Sequence, residues 1–320
     1  MKCLIVSPQA GMCNRFRVLC SALLLARLSG RRLYHCWAQE APLEADIDIV
    51  RHMRAASLST FFLEAPGLPY RDVGAAADID QVFSEWEPGD YWYPLQSSAI
   101  RRCGWRGSVD VERASADAIL NSQANTVLLE TSLCLKPSFM TQGEFESALT
   151  DIYRDHFKPQ PLFKGAVDRF ARQGPYVGVH IRRRDHLKHC PDAAIGAKSW
   201  ERIIRREVSS GEALCICSDD LPFAASIARL LPEYRVLRVE EAFPHAPQLQ
   251  AFLEFLCLSM ALRIYGTAGS SFSREAARFG GRGFVHCSVK QPKNIWEKLW
   301  GYLGMNAEQI ECCNMPAPRS

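Results

Sequence analysis

The chain has 320 residues, 48% of them hydrophobic, and a formal net charge of +3. That length and apolar content can fill two domains, each with its own core. The near-cancellation of charge excludes a general attraction to nucleic acid or to a membrane surface, so any anion binding falls to local clusters.

The opening MKCLIVSPQAGMCN lacks the charged start, apolar run and small-residue cleavage site of a secretory signal, which predicts a cytoplasmic chain. Its longest apolar tracts, Leu19 to Leu28 and Phe252 to Ile264, are interrupted by Arg27, Glu254 and Arg263, so neither reaches the ~20 apolar residues of a membrane span. Thirteen cysteines are present, no two spaced C-x-x-C, with Cys312 and Cys313 adjacent. Most lie within apolar segments, where a thiol acts as a small hydrophobe, and they read as reduced and structural.

Strands alternate with helices twice along the chain. KCLIV, the loop SPQAGMCN, an amphipathic helix from about Arg15 to Ser29 closed by Gly30, and the strand RLYHCW form a β-loop-α-β unit. From Ala38 to Gly174 the pattern weakens: WEPGDYWYPL reads as a loop and TVLLE at 126–130 as the one clear strand. After a linker at FKPQPLFKG the alternation returns. Strands YVGVHIRR, ALCICS, YRVLRV, LRIYGT and GFVHC are separated by helices SWERIIRREV, PFAASIARLL, QLQAFLEFLCLSM and one opening at Ser271. Continuous apolar strands between helices predict parallel sheets covered on both faces. The fold class is therefore α/β, with two Rossmann-like, doubly wound domains, 1–165 and 166–320, facing across a cleft.

Ligands of open α/β sheets sit beyond the carboxyl ends of the strands. Three such ends carry chemistry. The first is VHIRRRD, where Arg182 or Arg183 offers a fork that matches phosphate oxygens and keeps its charge. In the second, CSDD, one of Asp219 and Asp220 can accept the two N–H groups of the guanine Watson–Crick edge, while a cap for the following helix is the competing role. The third is YGTAGSSFS, where Gly266 and Gly269 admit close backbone approach and Ser270, Ser271 and Ser273 stand at a helix N-terminus suited to phosphate.

VGVHIRRRD, SDD and GTAGSSFS, together with GMCNRFRVLCSALLLARLSGRRL near the start, resemble the fucosyltransferase superfamily of α1,2-, α1,6- and protein O-fucosyltransferases. The likeness covers both ends of the chain and not residues 40–165. It implies a GT-B fold and an inverting, metal-independent glycosyltransferase with GDP-fucose as donor, a glycan or glycoconjugate as acceptor, and no cofactor. By the same resemblance, His180 and one of Asp219 and Asp220 hold guanosine. Arg182 takes the β-phosphate, supported by Ser270, Ser271 and the Phe272 backbone. Gly11 and Asn14 approach the diphosphate from the N-terminal domain.

Elementary chemistry agrees with that assignment, because breaking a sugar–phosphate bond leaves negative charge on the nucleotide and calls for fixed positive charge beside it. The catalytic base is left open among Asp192, Asp185, His186 and His189, and Cys190 stands near the place where the α1,6 branch has a carboxylate. DID at 46–48 and 78–80 are the Asp-x-Asp sequences here, and both read as loop or surface. His186, His189 and Cys190 are zinc-ligand types without a fourth ligand at useful spacing, so no metal is expected. The aromatic run WEPGDYWY either stacks on an acceptor sugar or packs internally. Competing functions are a GDP-sugar-binding module without turnover, a transferase of another GDP-sugar, and an RNA-binding protein. The last is disfavoured by the small net charge.

Overall fold

In the computed structural model the described residues are 2–8, 11–35, 58–63, 70–72, 115–124, 126–131, 133–184, 187, 190, 194–289 and 310–315. The chain divides into two compact units, Met1–Leu162 with His245–Leu249, and Phe163–Pro244 with Gln250–Pro318.

The first unit contains strands β1 (Cys3–Pro8), β2 (Arg32–His35), β3 (Tyr70–Asp72) and β4 (Thr126–Thr131), all parallel, in the order β3-β2-β1-β4. Helix α1 (Met12–Ser29) follows β1. It begins three residues before the sequence pattern predicts and ends where Gly30 takes the left-handed conformation, φ 65°, that a Cβ would oppose. Phe16, Leu19, Leu23 and Ala26 recur at helical spacing on its buried side. Helix α2 (Ala116–Asn121) and helix α3 (Gln142–His156) lie in the stretch where periodicity was weak. The start of α3 has a local signal: Thr141 and Glu144 form a capping box, each side chain accepting the other's backbone N–H. β3 is a second strand in that stretch, too short to register as alternation.

The second unit begins at Phe163, within the segment that reads as linker, and holds the better defined sheet. Pro161–Phe163 forms a turn of 3-10 helix, and α4 (Lys164–Ala171) begins inside the segment that reads as linker. Six strands follow: β5 (Tyr176–Ile181), β6 (Ala213–Ser218), β7 (Val236–Leu237), β8 (Arg263–Thr267), β9 (Gly283–Val289) and β10 (Ile310–Met315). Their order is β10-β9-β8-β5-β6-β7, parallel except for β10, which runs antiparallel to β9. The chain winds from β5 outward to β7, returns to the other side of β5 as β8, and winds outward again. This is the Rossmann order, with the reversal between β5 and β8.

Helices α5 (Ala197–Glu207) and α6 (Leu221–Leu230) cover one face, where Trp200, Ile203, Ile204 and Ile227 pack on Val177, Val179, Ile181 and Leu214. Helices α7 (Pro247–Ser259) and α8 (Ser271–Phe279) cover the other, and two strand glycines record how closely. A Cβ on Gly178 would lie 2.6 Å from Leu258 of α7, and one on Gly266 would lie 2.3 Å from the Ser273 hydroxyl of α8. The second unit is thus doubly wound. No helix among the described residues is long and apolar enough to cross a membrane.

Candidate functional site

Strand β5 is buried along its whole length and ends at Ile181, so the three arginines that follow emerge from the carboxyl edge of the sheet. The reversal of strand order opens a crevice between β5 and β8 at this edge. Across it, the Arg182 backbone N–H donates to the Thr267 hydroxyl at 3.0 Å, and that hydroxyl lies 3.4 Å from the His180 carbonyl. Thr267 is fully buried and ties the two strand ends together.

Beyond Thr267 the chain turns through Gly269, whose φ of 75° requires glycine, into the N-terminus of α8. Ser270 occupies the cap position without a side-chain cap bond, its hydroxyl lying instead 3.4 Å from Nδ1 of His180. The His180 ring stacks on Phe272 with centroids 4.8 Å apart and planes 21° from parallel, and Phe255 of α7 meets Phe272 edge-on. His180, Ser270 and Phe272 therefore form one packed group at the crevice, with the first-turn amides of α8 beside it. Those amides and the helix dipole favour an anion.

The adjacent arginines have different surroundings. The Arg182 side chain is 29% exposed, and its guanidinium lies 3.4 Å from the Asp219 carboxylate. Arg183 turns toward α6: its guanidinium carbon sits 3.8 Å from the Phe223 ring centroid, Nη1 donates to the Ile195 carbonyl at 3.4 Å, and Nε is 3.4 Å from Asp220. This is a cation–π clamp between strand end and helix.

The two aspartates also divide their work. Asp220 is the N-cap of α6, accepting the Phe223 N–H at 3.1 Å. Asp219 accepts the Arg183 backbone N–H at 2.8 Å while its other oxygen faces Arg182. Ser218 completes the junction, donating to the Ile181 carbonyl at 2.8 Å and accepting the Asp220 N–H at 3.0 Å.

In the first unit, Gly11 precedes α1 at the carboxyl end of β1, beside β4, which is the corresponding reversal of its sheet. Its φ of −69° is open to any residue, and a Cβ there would meet nothing within 4 Å. Neither backbone conformation nor crowding demands glycine at this position. Asn14 is half-buried in the first turn of α1.

No protein-family model and no curated protein sequence matches the chain. Solved structures do. NodZ α-1,6-fucosyltransferase soaked with GDP-fucose superposes with a TM-score of 0.62 at 16% identity, covering 99% of this chain and all of that one. The structure titled POFUT1 in complex with GDP gives 0.55 at 11%, covering 88% and 95%. A variant of Arabidopsis thaliana FUT1 in complex with GDP gives 0.54 at 14%, covering 92% and 71%. The chain has the fold of these fucosyltransferases. The GT-B architecture implied by the sequence resemblance is therefore observed.

Within this fucosyltransferase fold, His180, Arg182, Ser270, Ser271 and Phe272 come together at the β5/β8 crevice. Ser273 does not join them: it is fully buried, with its hydroxyl against Gly266. Gly266 likewise serves helix–strand packing rather than ligand approach, while Gly269 serves the turn. Asp185, His186, His189 and Asp192 lie outside the described residues, as do both DID sequences and WEPGDYWY. The sequence reading missed Thr267 and Phe223. Thr267 sits inside the quoted GTAGSS motif, but a buried threonine that joins strands has no sequence signature. Phe223 belongs to a helix that only the tertiary fold brings to Arg183.

Proposed function

We propose that the protein is an inverting, metal-independent glycosyltransferase that takes fucose from GDP-fucose to a glycan or glycoconjugate acceptor, working in the cytoplasm. The observation that carries this reading is Arg182 at the strand-order reversal, pinned through its backbone to Thr267 and through its guanidinium to Asp219, next to the α8 N-terminus. The similarity in fold to structures holding GDP or GDP-fucose supports it.

In this reading the diphosphate lies over the Ser270–Phe272 turn with Arg182 on the β-phosphate. As the sugar–phosphate bond breaks, the guanidinium and the helix-end amides meet the charge on departing GDP without reorganising. His180, held flat against Phe272, and Asp219 face the guanosine end. Asp219 also orients Arg182, and Asp220 caps α6. Arg183 holds strand end to helix and does not reach the nucleotide. The domain assigned to residues 1–165 carries the acceptor side. Asp192 or Asp185 takes the proton of the acceptor hydroxyl.

The test is turnover. Incubation with GDP-fucose is expected to release GDP slowly into water and faster with a correct glycan acceptor. Release with GDP-mannose but not GDP-fucose would replace the donor, and tight GDP binding without turnover across a broad glycan array would reduce the protein to a binding module.

A further inference from the structure

Strands β9 and β10 are antiparallel, and their register sets Cys287 directly opposite Cys312. Directly opposed residues in such a pair have Cα atoms about 4.5–5.5 Å apart, within the range a disulfide spans without moving backbone. The two sulfurs are 3.9 Å apart. Cys287 is fully buried in the core beneath α5, whereas Cys312 is half-buried and reachable from solvent. Arg206 of α5 donates to the Cys312 sulfur at 3.5 Å, its Nε also holding Glu207 at 2.7 Å. An accessible thiol beside a guanidinium, with a second thiol fixed behind it, is the arrangement of an attacking and a resolving cysteine.

We propose that Cys312 and Cys287 form a peroxide-reactive dithiol, with Cys312 attacking, Cys287 resolving and Arg206 favouring the thiolate. The hydrogen bond from Cys287 and the charge of Arg206 bring the Cys312 thiol down to about 7 against the opposing effect of burial, while the same bond and burial push Cys287 up. The Cys312 thiolate attacks one oxygen of hydrogen peroxide; the S–O bond forms, the O–O bond breaks, and hydroxide leaves to become water. Cys287 then gives up its proton and attacks the Cys312 sulfur; the S–S bond forms and the sulfenic hydroxyl departs as the second water. Two thiols lose two electrons in all, and one peroxide is reduced to two waters.

The bond would lie next to the proposed nucleotide site. The Cys287 carbonyl accepts the Ala268 N–H at 2.8 Å, so β9 supports the turn that leads from β8 into α8. Tying β10 to β9 at that residue fixes the strand against which the turn rests. The pair Cys215 and Cys217, 3.8 Å apart, serves as the contrast: both are buried, and they sit two apart on one strand rather than opposed across two.

The full chain, reduced and desalted, is treated with stoichiometric hydrogen peroxide near neutral pH, then alkylated, digested and read by mass spectrometry. The expected product is a peptide pair linked through Cys287 and Cys312, absent in Cys312→Ser. In Cys287→Ser, Cys312 is expected to accumulate as a sulfenic acid that dimedone captures, a readout that also holds if Cys312→Ser folds poorly. Arg206→Gln, on an exposed side chain, should slow the reaction about fivefold near pH 7 by returning the thiol toward its ordinary range. Oxidation of half-buried Cys190 as fast as Cys312, or dimedone labelling of Cys287→Ser elsewhere than Cys312, would overturn the assignment.

Discussion

Arg182 and Arg183 are neighbours in sequence with opposite fates, and the difference follows from strand alternation carried two residues past β5. Arg182→Ala is expected to lower the rate of GDP release from GDP-fucose by ~10² or more, the scale of one lost transition-state electrostatic partner. Arg182→Lys should recover little of that loss, because an ammonium lacks the planar fork. Arg183→Ala removes the contact with Phe223 and should appear as a loss of about 1 kcal/mol in urea melts with the rate per folded enzyme retained. Exposed Arg184 is the control. Equal damage to the rate from Arg182→Ala and Arg183→Ala would contradict the division.

Glu254 of α7 makes a second residue-scale case. Burial raises its carboxyl to about 7, with the Gln250 hydrogen bond acting in the opposite sense. The folded chain then keeps a proton that the unfolded chain releases from about 4.5 upward, so stability falls as pH rises between those values and is level above about 7. Glu254→Gln is expected to remove this slope. By urea melts the variant should match its parent near pH 4 and exceed it by up to roughly 3 kcal/mol near pH 8. Parallel pH profiles for the two proteins would refute the assignment.

At the scale of elements, the short β8-to-α8 connection depends on Gly266. A methyl group there would meet the Ser273 hydroxyl at 2.3 Å and the Phe284 ring at 2.7 Å, so α8 must shift away from the sheet. Overpacking of this kind costs about 1–3 kcal/mol. Here it would also displace the first-turn amides that face the crevice. Gly266→Ala is therefore expected to weaken GDP binding as well as lower the melting temperature, and Ser273→Gly in the same chain should restore part of both. Destabilisation with unchanged GDP affinity would show that the amides are not part of the site. The sequence made the turn visible but assigned Gly266 and Ser273 to the ligand, because spacing alone does not distinguish a glycine that admits a ligand from one that admits a helix. Helix α3 shows the converse. Its capping box was written at Thr141 and Glu144, yet the surrounding apolar pattern was too weak to draw attention to it.

Over the whole molecule, the parallel strands other than β3 were legible because buried parallel strands read as continuous apolar runs, and the strand ends were legible because charge follows them abruptly. The order of the strands was not legible: β10 joins the sheet antiparallel from the far end of the chain, and no local pattern in IECCNM announces its partner. The same limit hid the pairing of Cys287 with Cys312. With a net charge of only +3, the chain lacks a global field to attract a nucleotide diphosphate, so affinity must come from the crevice itself. GDP, UDP, ADP and CMP are therefore expected to separate in a thermal-shift panel. GDP at about 100 times its dissociation constant should stabilise the chain by ~2.7 kcal/mol, with the other nucleotides well below it. Arg182 and the α8 N-terminus supply the positive charge in the proposed site, so EDTA should leave the GDP shift intact. Added sodium chloride should reduce it only modestly, because partly buried charge is screened less than exposed charge. Loss of the shift in EDTA, or a shift with UDP alone, would mean that the crevice was built for a different nucleotide or needs a cation to hold one.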